Sequence, residues 1–332
     1  MITLHWFSPE DREIMTPLML EAHRRGLQAE LRHYHDPAGD ISVHCHGRGD
    51  ANPARLSAFL LHDVGQDWWA SDLTEDDNMW ADTPWSQFDL VFLPGPEWSA
   101  AWQRLSHLPK ARPRLGACEA GWPKADRVGT PEFAAEVAAL RGGLTLANRP
   151  TVLFAPSWET DDHRNLRSFV AAFEPRDVNL LAKYAPGYHE VEEALLAAHP
   201  RLQLIDSTTS ILPCLALADA MLSDESNCLS EALLLGVPPV AVTDWEVPAM
   251  PEHGLPARPA EPPAFAVAAT MATIADTVEA LLSDPTGTAS RVLAAREATF
   301  AHIGAAANRV LDALQWADSG DPRLADLLLS DA

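Results

Sequence analysis

Cysteine is scarce in this chain of 332 residues, and no two cysteines stand close together. Cys45, Cys118, Cys214 and Cys228 are widely spaced, and no CxxC pair occurs. This usage disfavours a disulfide framework and fits buried thiols in a reducing compartment. The N-terminal stretch MITLHWFSPEDRE becomes acidic too early for a secretory signal. We therefore expect a cytoplasmic protein.

Positive charge is also in short supply. The chain has 24 Lys and Arg against 47 Asp and Glu, which gives a net charge of −23. Such a balance argues against nucleic-acid binding and weakens docking on an anionic membrane. Its apolar runs are broken by Gly, Pro or Asp well before the roughly 20 residues that span a bilayer. The sequence thus predicts no transmembrane segment and leaves peripheral membrane contact open.

Two common phosphate-binding motifs are missing, namely GxxxxGK[ST] and GxGxxG. Any anion site must therefore be built from other local donors. Distant negative charges do not prevent this, because charges are screened beyond about 8–10 Å at physiological salt.

Apolar segments alternate with helical patterns along most of the chain. Hydrophobic residues make up 47% of the sequence, which supports large cores, and the length suits two domains. The strand patterns are ITLHWF, LQAELRHY, LSAFLLH, FDLVFLPG, TVLFAPSW, VNLLAKY, LQLID, AMLSD and PPVAV. The stretch RGGLTLANRP (141–150) breaks a helix with two glycines. We predict an α/β fold of two Rossmann-like domains, residues 1–145 and 146–332, facing each other across a cleft.

Polar residues gather where one of these strands meets a helix, in LSDESNCLSEALLLGVPPVAV (222–242). Ser226 and Asn227 are suited to cap the following helix, whose first N–H groups would attract a phosphate. The alternative is that they only cap a structural helix. Glu231, five residues after Ser226, has no local partner in a capping box.

The same segment resembles the signature of the CDP-glycerol glycerophosphotransferase family, with Asp224, Ser226, Asn227 and Glu231 at its polar positions. Asn227 replaces a Ser, and Glu231 replaces an Asp. Other segments are similar to family elements in the same order. They are GWPKADRV, TVLFAPSWE with Pro156 and Ser157, NLLAKYAPGYHE with Lys183 and His189, LIDSTTSILPCLALAD with Ser207 and Thr208, and HIGAAANRVLDAL. The resemblance spans about residues 55–315.

One further segment, AFLLHDVGQDWW, resembles the family's His-Gly element, in which the His is the proposed general base. The matching histidine is His62, at the end of a strand pattern, and Asp63 stands where Gly is usual. The Asp63 carboxylate would orient the imidazole or raise its pKa, or would obstruct the substrate. The alternative is a histidine that is satisfied at a strand end without a catalytic role.

The resemblance implies a glycosyltransferase-B-type enzyme that transfers a phosphopolyol from a CDP-activated donor to a hydroxyl acceptor, releasing CMP. The first domain would bind the acceptor and the second the nucleotide, and members of the family work at a membrane polymer of the cell envelope. His62, Asp63 and His189 would be catalytic. The donor-binding residues would be Pro156, Ser157, Lys183, Ser207, Thr208, Asp224, Ser226, Asn227 and Glu231. No cofactor is indicated; a need for a divalent metal and the oligomeric state stay open.

Two other functions are compatible with the sequence. One is a nucleotide-sugar transferase or epimerase of the same architecture. The other is a non-catalytic nucleotide-binding or scaffold protein, with Asp63 as the sign of a lost active site.

Three other groups of residues have alternative interpretations. Arg164 and Arg167 share a predicted helix face and would receive a diphosphate or remain solvated surface charges. Four histidines in HYHDPAGDISVHCH would converge on a metal only if DPAGD formed a tight hairpin. These are His33, His35, His44 and His46. The tryptophans of the first domain would pack its core or cover an acceptor.

Overall fold

The computed structural model describes residues 1–37, 39–45, 54–64, 84–158, 164–185, 196, 199–249, 257–260 and 262–330. These residues form two compact units. The first contains the described residues up to Thr130 and those from Glu297 onward, and the second lies within Pro131–Arg296. No helix in the described ranges is long and apolar enough to cross a membrane.

The first unit contains a six-stranded parallel sheet. Its strands are β1 (Ile2–Trp6), β2 (Ala29–His33), β3 (Ile41–His44), β4 (Leu56–Leu60), β5 (Leu90–Leu93) and β6 (Gly116–Glu119). They are arranged in the order β2-β1-β3-β4-β5-β6. Its helices include α1 (Pro9–Arg24) and α2 (Pro96–Leu105). Most of the strand residues are buried, as expected for a parallel sheet that is covered on both faces.

The second unit contains another six-stranded parallel sheet. Its helices are α3 (Pro131–Gly142), α4 (Arg164–Phe173), α5 (Ile211–Leu215), α6 (Cys228–Leu234), α7 (Ile274–Ser283) and most of α8 (Pro285–Thr299). Its strands are β7 (Thr151–Phe154), β8 (Asn179–Lys183), β9 (Leu202–Ile205), β10 (Ala220–Ser223), β11 (Pro239–Val242), the antiparallel pair β12 (Glu246–Val247) and β13 (Arg258–Pro259), and β14 (Val267–Ala269). The main sheet has the order β14-β11-β10-β7-β8-β9.

In both sheets the first strand of the unit pairs on each side with another strand. β1 lies between β2 and β3, and β7 lies between β8 and β10. The direction of winding therefore reverses beside β1 and beside β7. In open α/β sheets, ligands bind at such reversal points, outside the carboxyl ends of the strands. The predicted pair of Rossmann-like α/β units is confirmed.

The division of the chain differs from the predicted one at two places. Residues 131–145 belong to the second unit, and the final helix α9 (Ala306–Ser319) belongs to the first. The final helix belongs to the first unit because α9 packs against α1. Arg25, at the end of α1, donates hydrogen bonds to Asn308 and Asp312 of α9 at 2.7 Å each.

The segment that leads into α9 passes close to two glycines, and neither position has room for a side chain. A Cβ at Gly95 would overlap the carbonyl of Thr299, and one at Gly121 would lie 2.5 Å from the carbonyl oxygen of Ala301. Gly121 also has φ +87°, in the region that favours glycine.

Asp126 supplies the missing N-terminal cap of α9. Its carboxylate oxygens accept hydrogen bonds from Ala306 N at 3.1 Å and Ala307 N at 2.8 Å. Both Gly121 and Asp126 belong to the GWPKADRV segment. This segment therefore has a structural role, which is to hold the end of the chain on the first unit.

Replacing Asp126 with alanine is expected to lower the free energy of unfolding by about 1–2 kcal/mol, because two N–H groups of α9 lose their acceptor. Asp126→Asn keeps a carbonyl oxygen as acceptor and is the matched control, with a smaller loss. Urea denaturation of both variants measures the difference. Equal stability of wild type and Asp126→Ala would contradict this role.

Two buried histidines stack face to face on neighbouring strands. The rings of His5 on β1 and His44 on β3 have centroids 4.5 Å apart and an interplanar angle of 2°. Burial lowers the pKa of both, with the proximity of His5 adding to the effect on His44, whose pKa falls to about 3. Because β1 separates β2 from β3, His33 and His44 do not face each other across a hairpin. The hairpin that the metal hypothesis required is thus absent, and His46 lies outside the described residues.

Acid is expected to destabilise the first unit through His44. The pKa of His44 in the folded state lies below the value of about 6.5 in an unfolded chain. Its contribution to the free energy of unfolding is therefore fully present above pH 6.5 and is lost as the pH falls towards 3. Between pH 7.5 and 5.5 the wild type should lose about 1.4 kcal/mol relative to His44→Phe, which cannot titrate at this site. Denaturant unfolding of both proteins at the two pH values measures this. An identical pH response in both would contradict the prediction.

Three of the tryptophans that the sequence assigned to the first domain pack its core, whereas Trp6 and Trp316 of the same unit are only partly buried. Trp85, Trp98 and Trp102 are each less than 5% exposed. Trp68, Trp69 and Trp80 lie outside the described residues.

Candidate active site

His62 lies two residues beyond β4, at the carboxyl edge of the first sheet. Two buried tryptophans hold the backbone on either side of it. Trp122 Nε1 donates to the carbonyl of Leu61 at 3.1 Å, and Trp98 Nε1 donates to that of Val64 at 3.0 Å. The imidazole is therefore carried on a fixed turn, and 25% of its side chain is exposed.

Asp11 is the partner of this imidazole that sequence reasoning missed. It is fully buried at the third position of α1, where its Oδ2 accepts from the backbone N–H groups of Phe7 and Ser8 at 2.9 Å each. Its Oδ1 lies 2.6 Å from His62 Nδ1. Ser8 and Asp11 form a capping box, which accounts for the bond from Ser8 N and for the bond that Asp11 N donates to Ser8 Oγ at 3.2 Å. No sequence pattern indicates the contact with His62, which is 51 residues away.

The Asp11 contact decides which ring nitrogen of His62 can accept a proton. A carboxylate oxygen only accepts, so Nδ1 carries the hydrogen of this bond, and Nε2 is the basic atom of the neutral ring. Nε2 lies 3.7 Å from Asp63 Oδ1. The predicted pair His62 and Asp63 is therefore brought together with a buried third member.

The charges around His62 favour its protonated form. Burial opposes protonation, but the negative charges of Asp63, Asp11 and Glu10 outweigh burial and raise the pKa of His62 to about 9. At pH 7 only about 1% of the molecules then carry a neutral ring. His62 can act as a base only when Nε2 has lost this proton.

In the second unit, Asp224 joins the loops that follow β7 and β10. Its oxygens accept from the backbone N–H groups of Ser157 at 3.2 Å and Trp158 at 2.8 Å. The neighbouring Ser223 hydroxyl donates to the carbonyl of Ala155 at 2.7 Å. Burial raises the pKa of Asp224 to about 6, although the two amide donors oppose this shift. These contacts place Asp224 and Ser157 together at the point where the sheet reverses direction.

Ser226 lies two residues before α6, and Asn227, at the N-cap position, makes no side-chain capping bond. The hydroxyl oxygen of Ser226 accepts from Cys228 N at 3.3 Å, and the side chain is 5% exposed. Asn227 has helical dihedral angles, φ −54° and ψ −26°. Glu231 is buried on the same helix. The capping interpretation accounts for the observed bond of Ser226, and phosphate binding at this terminus stays a prediction.

The residue between Asp224 and Ser226 makes an ion pair that the sequence did not indicate. Arg258 Nη1 and Nη2 donate to the two carboxylate oxygens of Glu225 at 2.7 and 2.8 Å. Glu225 is 5% exposed, and Arg258 belongs to β13. This bidentate ion pair attaches the antiparallel pair of strands β12 and β13 to the loop after β10.

Lys183 and Ser207 meet at the ends of the adjacent strands β8 and β9. Lys183 Nζ donates to the carbonyls of Tyr184 at 3.1 Å and Ser207 at 3.2 Å. Thr208 donates from its backbone N and its hydroxyl to Asp206 Oδ1 at 2.8 and 2.6 Å. Pro156 is buried, next to Ser157. His189 lies outside the described residues.

The predicted donor-binding residues that are described thus lie at or just beyond the carboxyl ends of four neighbouring strands, β10, β7, β8 and β9, or on α6, which follows β10. Arg164 and Arg167 are exposed on α4, the helix that follows β7 in the chain.

Comparison with solved structures identifies the fold. The chain matches a variant of the wall teichoic acid polymerase TagF with a TM-score of 0.67 at 10% identity, over 96% of this chain and 89% of that one. This is the glycosyltransferase-B fold. It also matches a putative UDP-N-acetylglucosamine 2-epimerase from Listeria monocytogenes (TM-score 0.60, 14% identity, 97% of each chain). The UDP-GlcNAc 2-epimerase from Neisseria meningitidis, bound to UDP-GlcNAc, matches with a TM-score of 0.61 at 13% identity, over 95% of this chain and all of that one. No protein-family model and no curated protein sequence matches the chain.

Proposed function

We propose that this protein transfers a phosphopolyol group from a CDP-activated donor to a hydroxyl acceptor and releases CMP. The observation that carries the proposal is the imidazole of His62, held at Nδ1 by the buried Asp11 carboxylate at 2.6 Å. A carboxylate that fixes the tautomer and orientation of a histidine prepares its other nitrogen for proton transfer. The likeness in fold to TagF supports the choice of a phosphopolyol.

In the proposed reaction, neutral His62 Nε2 takes the proton of the acceptor hydroxyl. The acceptor oxygen then forms a bond to the phosphorus that bears the polyol. The bond from that phosphorus to the bridging oxygen of the diphosphate breaks, and CMP leaves with the electron pair. Positioning and electrostatic stabilisation provide most of the rate in such phosphoryl transfers.

We assign the donor to the carboxyl edge of the second sheet. Lys183 ends β8 there, and Ser157, Ser207 and Thr208 follow the adjacent strands β7 and β9. The reversal of strand order beside β7 supports this assignment. Pro156, Asp224, Ser226, Asn227 and Glu231 shape the same loops, and His189 is the remaining candidate cation. No cofactor enters the proposal.

A second candidate is a UDP-sugar epimerase or transferase. It is favoured by the match to epimerase structures over nearly the full length of both chains, including one with UDP-GlcNAc bound. The two candidates differ in the bond that breaks: at phosphorus for the phosphopolyol transferase, and at a sugar carbon for the UDP-sugar enzyme.

A substrate panel separates the candidates. The protein is incubated with CDP-glycerol, CDP-ribitol or UDP-GlcNAc and a polyol-phosphate acceptor, with Mg²⁺ or EDTA, and the released nucleotide and sugar products are identified. Acceptor-dependent release of CMP is expected. Turnover of UDP-GlcNAc alone would overturn the phosphopolyol assignment. CDP binding without turnover would favour a binding protein, and saturation at 100 times Kd should then add about 2.7 kcal/mol of stability.

A further inference from the structure

Five aromatic side chains lie together where β1 and β2 end. Trp6 and His33 are the last residues of the two strands, and Phe7, Tyr34 and His35 follow them. We call these five residues the aromatic cluster. Trp6 and His33 form an edge-to-face pair with centroids 5.2 Å apart, and Phe7 and Tyr34 form another at 5.3 Å. His35 lies 3.9 Å from Tyr34, centroid to centroid.

The aromatic cluster is open to solvent. Phe7 is 47% exposed, His35 is exposed, and the other three rings are partly exposed. It also has polar groups at its margin, since the Arg12 guanidinium lies 5.0 Å from the centroid of the Trp6 ring. An exposed group of rings with a polar rim is typical of a ligand or partner site rather than of ordinary surface.

The aromatic cluster adjoins the catalytic candidates of the same unit. Phe7 N donates to Asp11 Oδ2 at 2.9 Å, and the other oxygen of that carboxylate contacts His62 Nδ1. Both groups lie at the carboxyl edge of one parallel sheet, where α/β proteins bind their ligands. A ligand on the aromatic cluster would therefore bind at the same sheet edge as His62, the base that we propose.

We infer that the aromatic cluster binds a neutral sugar ring of the acceptor. The inference rests on the proposed function for the existence of an acceptor. Aromatic rings offer flat apolar faces, which suit the C–H face of a sugar, and the polar atoms of Tyr34, His33 and Arg12 offer hydrogen bonds to its hydroxyls. The alternative, an anionic lipid surface, is disfavoured because the chain carries a net charge of −23 and Asp36 adjoins the rings in sequence.

The test measures sugar binding without a donor, so that it is independent of turnover. Saturation-transfer NMR and titration with chitotriose and cellotetraose are applied to the wild type, Phe7→Ala and Tyr34→Ala. The matched control is Trp316→Ala in α9, because Trp316 also has an arginine, Arg323, at 4.8 Å from its ring. Cosedimentation with phosphatidylglycerol vesicles is measured in parallel.

We expect the wild type and Trp316→Ala to bind at least one oligosaccharide, and Phe7→Ala and Tyr34→Ala to bind it at least about tenfold more weakly, with no vesicle binding. Binding that is unchanged in both cluster variants, or absent from the wild type, would overturn the inference. Vesicle binding that those variants abolish would do the same and would assign the surface to a membrane. If the cluster variants lose oligosaccharide binding but no CDP donor is turned over, the sugar surface stands and the donor assignment fails.

Discussion

Replacing His62 with glutamine is expected to lower kcat for CMP release by about 10²–10⁴-fold, which is the usual effect of losing a general base. Glutamine is similar in length and keeps polar contacts near Asp11, but it cannot take a proton from the acceptor. KM for the donor should change little, because the donor is assigned to the second unit. Initial rates at saturating donor and acceptor measure the loss.

The control for His62→Gln is His107→Gln. His107 is an exposed histidine of the first unit, and its Nδ1 lies 3.0 Å from the carbonyl of Arg104. Its replacement should leave kcat at the wild-type value. A His62→Gln protein with full kcat would remove His62 from the mechanism, whatever the substrate panel shows.

Replacing Asp63 with asparagine is expected to increase activity at pH 7. Burial lowers the pKa of His62, and among the causes that raise it the negative charge of Asp63 comes first, ahead of the hydrogen bond and the charge of Asp11 taken singly. Its loss should move that pKa from about 9 towards 6.5, so that many more molecules carry a neutral ring. If the pKa fell all the way to 6.5, the neutral fraction at pH 7 would rise about 75-fold. The gain in kcat/KM should be smaller, because a less basic nitrogen abstracts a proton more slowly.

The pH profiles of the two proteins provide the measurement. For the wild type, kcat/KM should rise tenfold per pH unit up to about pH 9, and for Asp63→Asn the rise should end at lower pH. Above pH 9 the wild type should be the faster enzyme. Asp177→Asn, which removes an exposed charge of the second unit, is the control and should have the wild-type profile. Superimposable profiles for wild type and Asp63→Asn would show that Asp63 does not act on His62.

Much of the fold was predictable because parallel strands that are buried on both faces have continuous apolar sequences. LVFL at β5 and PVAV at β11 are clear signals of this kind. Strand order was less accessible, since it depends on which neighbours a strand finds in space. The placement of α9 on the first unit depends on Asp126 and Arg25, and nothing near Ala306 in the sequence indicates these partners.

The candidate site shows the same division between local and distant signals. His62 and Asp224 were predictable as polar residues at strand ends, where parallel sheets bind ligands. Asp11 was not, because its visible role is to cap α1, and its bond to His62 joins that helix to the turn after β4, 51 residues away. The Glu225–Arg258 pair was missed for a similar reason, since 33 residues separate its members.

We expect Asp11 to hold a proton on Nδ1 of His62, so that Nε2 is the proton-accepting atom, with a pKa of about 9. NMR titration of the ¹⁵N-labelled imidazole of His62, assigned with His62→Gln, tests this most directly. We expect a titration midpoint near pH 9 and a neutral ring that is protonated at Nδ1. A midpoint near 6.5, or a neutral ring protonated at Nε2, would contradict it.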